Sequence, residues 1–367
     1  MTSPTRHRFH SLCPYFAMFP ERFAETWIDR LTKPGDCVLD PFCGRGTTPF
    51  QSLLMGREAM ACDVNPVAYC ASTAKTNPPT LAAIRRRLSI LEAGFESGDW
   101  ERERKRLPQF FHWAYRPHTL RQLLYLRSRL AWQRTRTDCM IAALILGSLH
   151  GESSRSPMYL SNQMPHTIST KPDYSVRFWQ DRGLKAPRRE AFELVHKMAD
   201  FRYASEPVRG EATVYHLDMR ELPRVVGRTR QAQCVITSPP YFDVTDFEED
   251  QWLRLWFLGG PPHPTSGRIS RDDRHREAGK YWQFIADMWR ALGAVLAAKA
   301  DIVIRFGATR LEPDEMLRML AASAQFSSRN MHLVSSEISP LKGRQTDAFR
   351  PGSRGCRVEI DCHFACR

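Results

Sequence analysis

Residues 37–63 restrict the fold of this chain more than any other stretch. Cys37-Val38-Leu39-Asp40 is a short apolar run ending in an acid, and Pro41-Phe42-Cys43-Gly44-Arg45-Gly46-Thr47-Thr48 then forms a loop that opens a helix through Leu54. Glycines at 44 and 46 let a ligand approach the backbone, and the start of the helix offers free amides. A second strand, Glu58 to Cys62, ends in Asp63. An acid about twenty positions after a glycine loop fits a ribose-binding carboxylate, since it accepts from both vicinal hydroxyls. The sequence has no GxxxxGK[ST] phosphate cradle, and Gly44-Arg45-Gly46 lacks the third glycine expected for a dinucleotide pyrophosphate. A cofactor with a ribose but no pyrophosphate is the better match.

The α/β rhythm stops at Asn77-Pro78-Pro79-Thr80 and resumes at Ala212. Between them the chain reads as helices: Ala82 to Gly94, the charge run Glu101 to Arg106, a basic helix from His118 to Trp132, a buried one from Asp138 to His150, and another around Ala186 to Phe201. Polar, turn-rich residues 151–174 interrupt the series. The halves therefore divide as 10–77, a mostly helical insertion 78–210, and 211–367. The sequence carries 53 Lys+Arg against 40 Asp+Glu, a net charge of +13. Arginine dominates the excess, and its planar fork suits phosphate, which favours a polyanionic partner. The Arg-rich insertion is a candidate for gripping a nucleic-acid backbone, or it is a helical lid over the sheet.

The ten cysteines form no CxxC pair, so neither a zinc ribbon nor a disulfide framework is indicated, and no metal is expected. Cys356, Cys362, His363 and Cys366 fit alternating strand positions better than a ligand set. A reduced, cytosolic protein follows. The longest apolar run, Met140 to Leu149, is too short to span a bilayer, so no membrane partner is expected.

The second half opens with Ala212 to Asp218, read as a third strand ending in an acid. The apolar run Cys234-Val235-Ile236 then delivers Thr237-Ser238-Pro239-Pro240-Tyr241 to a rigid turn. The prolines remove two donors and leave carbonyl oxygens aimed outward, with a hydroxyl before them and an aromatic ring after. Such acceptors beside a stacking platform suit a flat heterocycle bearing an amino group; taken alone, the turn is equally an ordinary strand-to-loop turn with a buried Tyr. Phe247 to Leu258 reads as an amphipathic helix, 263–279 as a loop, Tyr281 to Ala298 as a long helix and Asp301 to Phe306 as a buried strand. Met331 to Ile338 and Arg357 to His363 pair as a hairpin across a basic linker, Ser339 to Gly355.

Together, Asp40 to Thr48 and Ser238 to Tyr241 resemble the paired motifs of the DNA amino-methyltransferases that use S-adenosylmethionine. Phe19-Pro20-Glu21-Arg22-Phe23, on the approach to a helix holding Phe23, Trp27, Ile28 and Leu31, looks like that family's additional cofactor motif. Asp218 resembles the acidic position beside the adenine. The Ser-Pro-Pro-Tyr form looks most like the cytosine-N4 branch, whereas Asp-Pro-Pro-Tyr and Asn-Pro-Pro-Tyr are commoner in adenine-N6 enzymes. The resemblance covers residues 10–76 and 212–363.

What the resemblance implies is a Rossmann-like class I methyltransferase: a mixed sheet flanked by helices, here with a long insertion between strands 2 and 3. It implies S-adenosylmethionine as cofactor, with Phe19, Asp40, Phe42, Gly44, Gly46, Thr47, Asp63 and Asp218 around it. It implies Ser238, Pro239, Pro240 and Tyr241 around the target base. The partner is then DNA, with the base flipped from the duplex, or RNA under the same chemistry. Recognition falls to the insertion, the 259–280 loop, or both.

Overall fold

The structure, a computed structural model, describes residues 6–14, 19–151, 156–164, 171–227, 230–242, 247–269, 277–308, 311–340, 356 and 358–367. Tyr15 and Phe16, the centre of the 259–280 loop and nearly all of the 339–355 linker lie outside the described residues. The chain divides into two compact units: residues 1–16, 73–207 and 247–266 form one, and 17–72, 208–246 and 267–367 the other.

The second unit is built on seven strands: β1 Cys37–Asp40, β2 Glu58–Cys62, β3 Ala212–Tyr215, β4 Ala232–Thr237, β5 Leu296–Gly307, β6 Met331–Pro340 and β7 Val358–Cys366. Their order across the sheet is β3-β2-β1-β4-β5-β7-β6. β1 lies parallel to both β2 and β4, β2 to β3, and β4 to β5, while β7 runs antiparallel to both β5 and β6. This is the mixed sheet expected from the sequence, with the helical insertion between β2 and β3. The strand order reverses between β1 and β4, and the crevice at such a switch point, beyond the carboxyl ends of the strands, is where open α/β sheets bind ligands.

Alternation along the strands explains why both faces are covered. On β1, Val38 packs with Phe23, Ala24 and Ile28 of the helix Glu21–Leu31. Cys37 and Leu39 point the other way, into a core with Met288, Trp289 and Leu292 of the helix Ala278–Val295. β4 repeats the pattern, with Cys234 and Ile236 on the first face and Val235 on the second. Pro20, in extended geometry, stands at the N-cap position of the helix Glu21–Leu31. The turn before β1 is fixed by Gly35, at φ 89°, and by Asp36, whose Oδ2 accepts from the Lys33 amide at 2.9 Å.

The first unit is helical: Leu81–Ala93, Glu101–Arg106, Gln109–Ala114, Pro117–Arg129, Arg136–Leu146, Pro172–Asp181 and Ala191–Tyr203, joined by Phe247–Asp250 and Trp252–Phe257. Its core is aromatic. Phe111 meets Trp256 at 4.5 Å between ring centres, and Phe110 meets Trp252 at 5.1 Å and Trp179 at 5.5 Å. The buried Arg254 donates Nε to the Leu146 carbonyl at 3.0 Å and NH1 to Gln251 Oε1 at 2.7 Å. Gln251 leaves helical geometry there, so the single helix expected over Phe247–Leu258 is two short ones. The last helix of the insertion begins at Ala191 rather than Ala186, because Pro187 disfavours helical geometry just before it; Gln122 Oε1 accepts from the Ala191 amide at 2.7 Å. The helix Pro172–Asp181 starts at the end of the stretch read as turns, 151–174, and runs on through residues given no element in the sequence reading; its buried stripe is only Ser175, Val176 and Trp179. No helix among the described residues is long and apolar enough to cross a membrane.

Candidate active site

The expected site residues converge on the carboxyl ends of the parallel strands of the second unit. Asp40 closes β1, and its Oδ1 accepts from the Thr237 hydroxyl at 2.6 Å and from the Phe42 amide at 3.1 Å. Thr48, in the first turn of the helix Thr47–Leu54, donates its hydroxyl to the Ile236 carbonyl at 3.0 Å. Strand end and helix start are thus both tied to β4 immediately before Ser238. Burial pushes the Asp40 carboxyl up to about 7, against the opposing donors from Thr237 and Phe42.

The glycine loop is held from three sides. Gly44 and Gly46 take left-handed φ values of 48° and 74°. At Gly46 a Cβ would stand 2.6 Å from Ser72 Oγ and 2.9 Å from its Cα, so this position requires glycine twice over. Ser72 donates to the Gly44 carbonyl at 3.0 Å, and the Gly44 amide donates to Asp63 Oδ2 at 2.9 Å. The amide at 44 braces the loop against the end of β2. Asp63 Oδ1 accepts from the Asn65 amide at 2.9 Å, and burial pushes this carboxyl up to about 6. Thr47 is buried and accepts from Arg45 Nε at 3.3 Å; Arg45 also lies 3.8 Å from Glu21.

Phe42 packs against Phe284 at 5.3 Å, and Phe19 meets Phe23 edge-on at 5.0 Å. Asp218 stands farther out. β3 stops at Tyr215, so Asp218 does not end the strand; it caps the short turn of Met219–Glu221 and accepts from the Arg220 amide and guanidinium at 2.8–3.0 Å. β3 is separated from β1 by β2, which sets Asp218 apart from the cluster at β1 and β4.

Beyond β4 the turn is rigid and partly inverted. The Pro240 carbonyl accepts from the buried Tyr281 hydroxyl at 2.8 Å, so it faces inward, contrary to the expectation that both proline carbonyls point out. The Pro239 carbonyl has no hydrogen-bond partner among the described residues. Tyr241 donates its hydroxyl to Glu359 Oε1 at 2.7 Å, and burial pushes its phenol well above the ordinary tyrosine range. Its ring lies over Gly307, where a Cβ would come within 2.8 Å of the ring carbons. Glu359 sits opposite Gly307 on β7, and Arg305 sits opposite Asp361. Arg305 forms two 2.7 Å bonds to Asp361, approaches Glu359 at 3.5 Å, and stacks 3.9 Å above the Phe23 ring. Removing one partner of such a buried, forked pair costs on the order of 3–5 kcal/mol.

Sequence reasoning missed Thr237, Ser72, Arg305 and Glu359 as site members. Thr237 carried a signal, since it directly precedes Ser238. The others reach the site through strand and helix packing that no local pattern records. The cysteine-rich tail lies on β7, with Cys362 opposite Ile304, Cys366 opposite Ala300, and His363 bonded to Asp301 at 2.8 Å.

Residues 3–74 match the family model of N6/N4-type DNA methylases. Two curated proteins are similar over the same kind of short stretch. The type II methyltransferase M.MjaII of Methanocaldococcus jannaschii is 36% identical over 62 residues, 17% of this chain and 12% of that protein. The type II methyltransferase M.MvaI of Kocuria varians is 35% identical over 94 residues, 25% of this chain and 20% of that protein. The matches thus span a fifth or less of those relatives' lengths. Among solved structures, TrmN from Thermus thermophilus aligns with a TM-score of 0.38 and 9% identity, over 98% of this chain and 53% of that one. The rRNA methyltransferase aviRa from Streptomyces viridochromogenes aligns with a TM-score of 0.34 and 15% identity, over 99% of this chain and 96% of that one.

Proposed function

We propose that this chain is a DNA amino-methyltransferase that moves a methyl group from S-adenosylmethionine to the exocyclic amino group of a flipped base, cytosine N4 in the first instance. The observation that carries the reading is the Thr237–Asp40 hydrogen bond at 2.6 Å, which sets the end of the glycine-loop strand beside the Ser-Pro-Pro-Tyr turn. The family match over residues 3–74 supports it from the cofactor side.

The donor set suits the cofactor. Asp63 spends one lone pair of each carboxylate oxygen on a backbone amide and retains a second on each, enough for a ribose diol. Asp40 and the Gly44/Gly46 backbone would hold the methionine portion, with Thr47 at the helix start and Phe42 and Phe19 as apolar walls. Asp218 would take the adenine amino group. When bound, S-adenosylmethionine supplies an electrophilic sulfonium methyl.

An exocyclic amino group is a weak nucleophile because its lone pair is delocalised into the ring. Ser238 Oγ and the Pro239 carbonyl accept hydrogen bonds from its two N–H groups, which favours a pyramidal nitrogen with its lone pair exposed. Tyr241 offers its ring to the base, and the rigid turn fixes the amino nitrogen for in-line attack. A base inside the duplex cannot reach these acceptors, so it is flipped out or presented single-stranded.

For the polyanionic partner, the helix Pro172–Asp181 offers a surface in the insertion. Tyr174, Arg177, Phe178 and Arg182 recur at helical spacing away from its buried stripe, and Arg182 stacks 4.3 Å above the Phe178 ring. Guanidinium groups for phosphate and aromatic faces for bases are the elements of sequence-tolerant nucleic-acid binding. Residues 78–210 and 259–280 remain the regions proposed to read sequence.

The test is to incubate the protein with labelled cofactor and either DNA or RNA, digest to nucleosides and identify the product by mass. N4-methylcytosine from DNA is expected. N6-methyladenine would move the target base, a product from RNA alone would move the substrate, and no methylated amino group from either would overturn the reading.

A further inference from the structure

β6 stands at the edge of the sheet and pairs with β7. Among the described residues no other backbone group bonds to it, so the outward N–H and C=O groups of a ten-residue strand stay open. Such an edge accepts a further strand unless charge, proline or a covering element blunts it. From Met331 to Ser339 the strand holds no Lys, Arg or Pro, and Glu337 is its one carboxylate. Every side chain from His332 to Ile338 is exposed, Leu333 by 41%, Val334 by 56% and Ile338 by 55%.

The register against β7 sorts these side chains by face. Met331, Leu333, Ser336 and Ile338 stand opposite Cys366, Phe364, Cys362 and Ile360, four members of the core shared with the helix Ala278–Val295. Residues opposite one another share a face, so Leu333 and Ile338 carry the apolar side of that core out to the rim of the sheet. In a regular strand their odd spacing would put them on opposite faces. The register shift between Leu333 and Ser335, which makes Val334 an extra residue, brings them to the same one.

With Val334 set aside, the strand is self-complementary about Ser336. We propose that β6 pairs antiparallel with β6 of a second copy of this chain, across a two-fold axis at Ser336. In that register Leu333 meets Ile338 of the second copy twice over, on the face that continues the core. His332 lies opposite Ser339, and Glu337 faces Ser335 rather than another carboxylate, so no like charges meet. The charge also selects the occupant. The chain carries 53 Lys+Arg, yet this edge offers a polyanion no Lys or Arg, and it presents a second copy with none to repel. A two-fold contact of this kind closes on itself as a dimer. None of these residues belongs to the proposed methyl-transfer site, so the inference stands apart from that reading.

The test uses the whole protein. Sedimentation velocity over a roughly hundredfold range of concentration is expected to show a monomer passing into a dimer. Ile338→Lys alters an exposed position and, through the two-fold, enters the interface twice. It is expected to raise the dissociation constant by about a hundredfold or more while the melting temperature of the monomer holds. Ser336→Cys tests the register without a change of charge. All ten native cysteines are buried, so the new thiol is the exposed one, and it lies across the axis from its own copy. Opposed residues of antiparallel strands are within disulfide reach, whereas His332→Cys has its counterpart about 20 Å away in this register. Mild oxidation is expected to cross-link Ser336→Cys into a covalent dimer and to leave His332→Cys uncoupled. A monomer at every concentration, a dimer that withstands Ile338→Lys, or cross-linking no faster at 336 than at 332 overturns the proposal.

Discussion

Thr237 donates its hydroxyl to Asp40 across the gap between β4 and β1, Oγ1 to Oδ1 at 2.6 Å, and both residues are buried. The bond fastens the two strand ends that carry the two halves of the proposed site. Thr237→Val keeps the shape and removes the donor, so a buried carboxyl loses a partner. Chemical denaturation is expected to show a loss of about 1–3 kcal/mol. Calorimetry should show weaker cofactor binding in the same variant. Full stability and affinity would mean that the two strand ends do not depend on this bond.

The raised carboxyl groups give opposite pH trends for folding and for binding. Asp40 is near 7 in the fold against 3.8 for a free side chain, with burial as the main cause. Between those values the folded protein keeps a proton that the unfolded chain has lost. Asp40 therefore lowers stability progressively as pH rises from about 4 to about 7. Comparing the wild type with Asp40→Asn by urea denaturation across that window isolates the trend. Cofactor binding at the proposed site would need Asp40 and Asp63 ionised, and Asp63 is raised to about 6. Affinity is thus expected to rise from pH 5 to pH 7.5, by on the order of a hundredfold per unit at the acid end, where both acids must lose a proton, and by about tenfold per unit between 6 and 7. A flat affinity profile would remove these two acids from the binding set.

Gly46 tests the glycine loop. Its φ of 74° and the 2.9 Å approach of the Ser72 backbone leave no place for a methyl group. Gly46→Ala is expected to cost about 2 kcal/mol or more, since both the left-handed backbone and the clash act against it. Gly35, at φ 89° with open space around it, supplies the control, where Ala meets only the backbone term. Melting temperatures of the two variants separate steric from conformational cost.

Ser238 lies at the centre of the proposed chemistry but not of the fold. Ser238→Ala is expected to leave cofactor affinity unchanged and to lower kcat by about 10²-fold, the usual effect of losing one hydrogen bond made to a developing charge. Undiminished transfer in that variant would sink the assignment.

Arg177 and Arg182 carry the prediction for the nucleic-acid partner. Arg177→Ala with Arg182→Ala is expected to weaken DNA binding at all sequences alike. The slope of log affinity against log salt should fall by up to about two, one for each phosphate that is no longer neutralised. An unchanged salt slope would exclude this helix face from the interface.

The elements that position the site are legible because they are short and locally complete. Cys37–Asp40 reads as a strand from four residues, Gly44 and Gly46 announce a tight backbone, and the prolines at 239 and 240 mark the end of a strand. Legibility fails where partners are distant in sequence. Tyr241 meets Glu359 118 positions away, and nothing in either neighbourhood announces the other. Asp218 reads wrongly as a strand end because an acid after an apolar run looks the same whether it ends the strand or caps the next turn. The inward Pro240 carbonyl depends on Tyr281, 41 residues on. The helix Pro172–Asp181 is hidden in the sequence because its buried stripe is too short for a clear period.

β7 enters the sheet between β5 and β6, although β6 precedes it in the chain. β5 and β6 are synthesised before β7, and among the described residues they share no ladder with each other: β5 pairs with β4 and β7, and β6 with β7. The Ser-Pro-Pro-Tyr turn therefore leaves the ribosome long before Glu359 exists to receive the Tyr241 hydroxyl. A nascent chain halted before residue 358 holds Asp40 and Thr237 but leaves Tyr241 and Arg305 without their acidic partners. The Tyr241–Glu359 contact can therefore form only after β7 has been synthesised, whereas the Asp40–Thr237 contact needs no residue beyond β4.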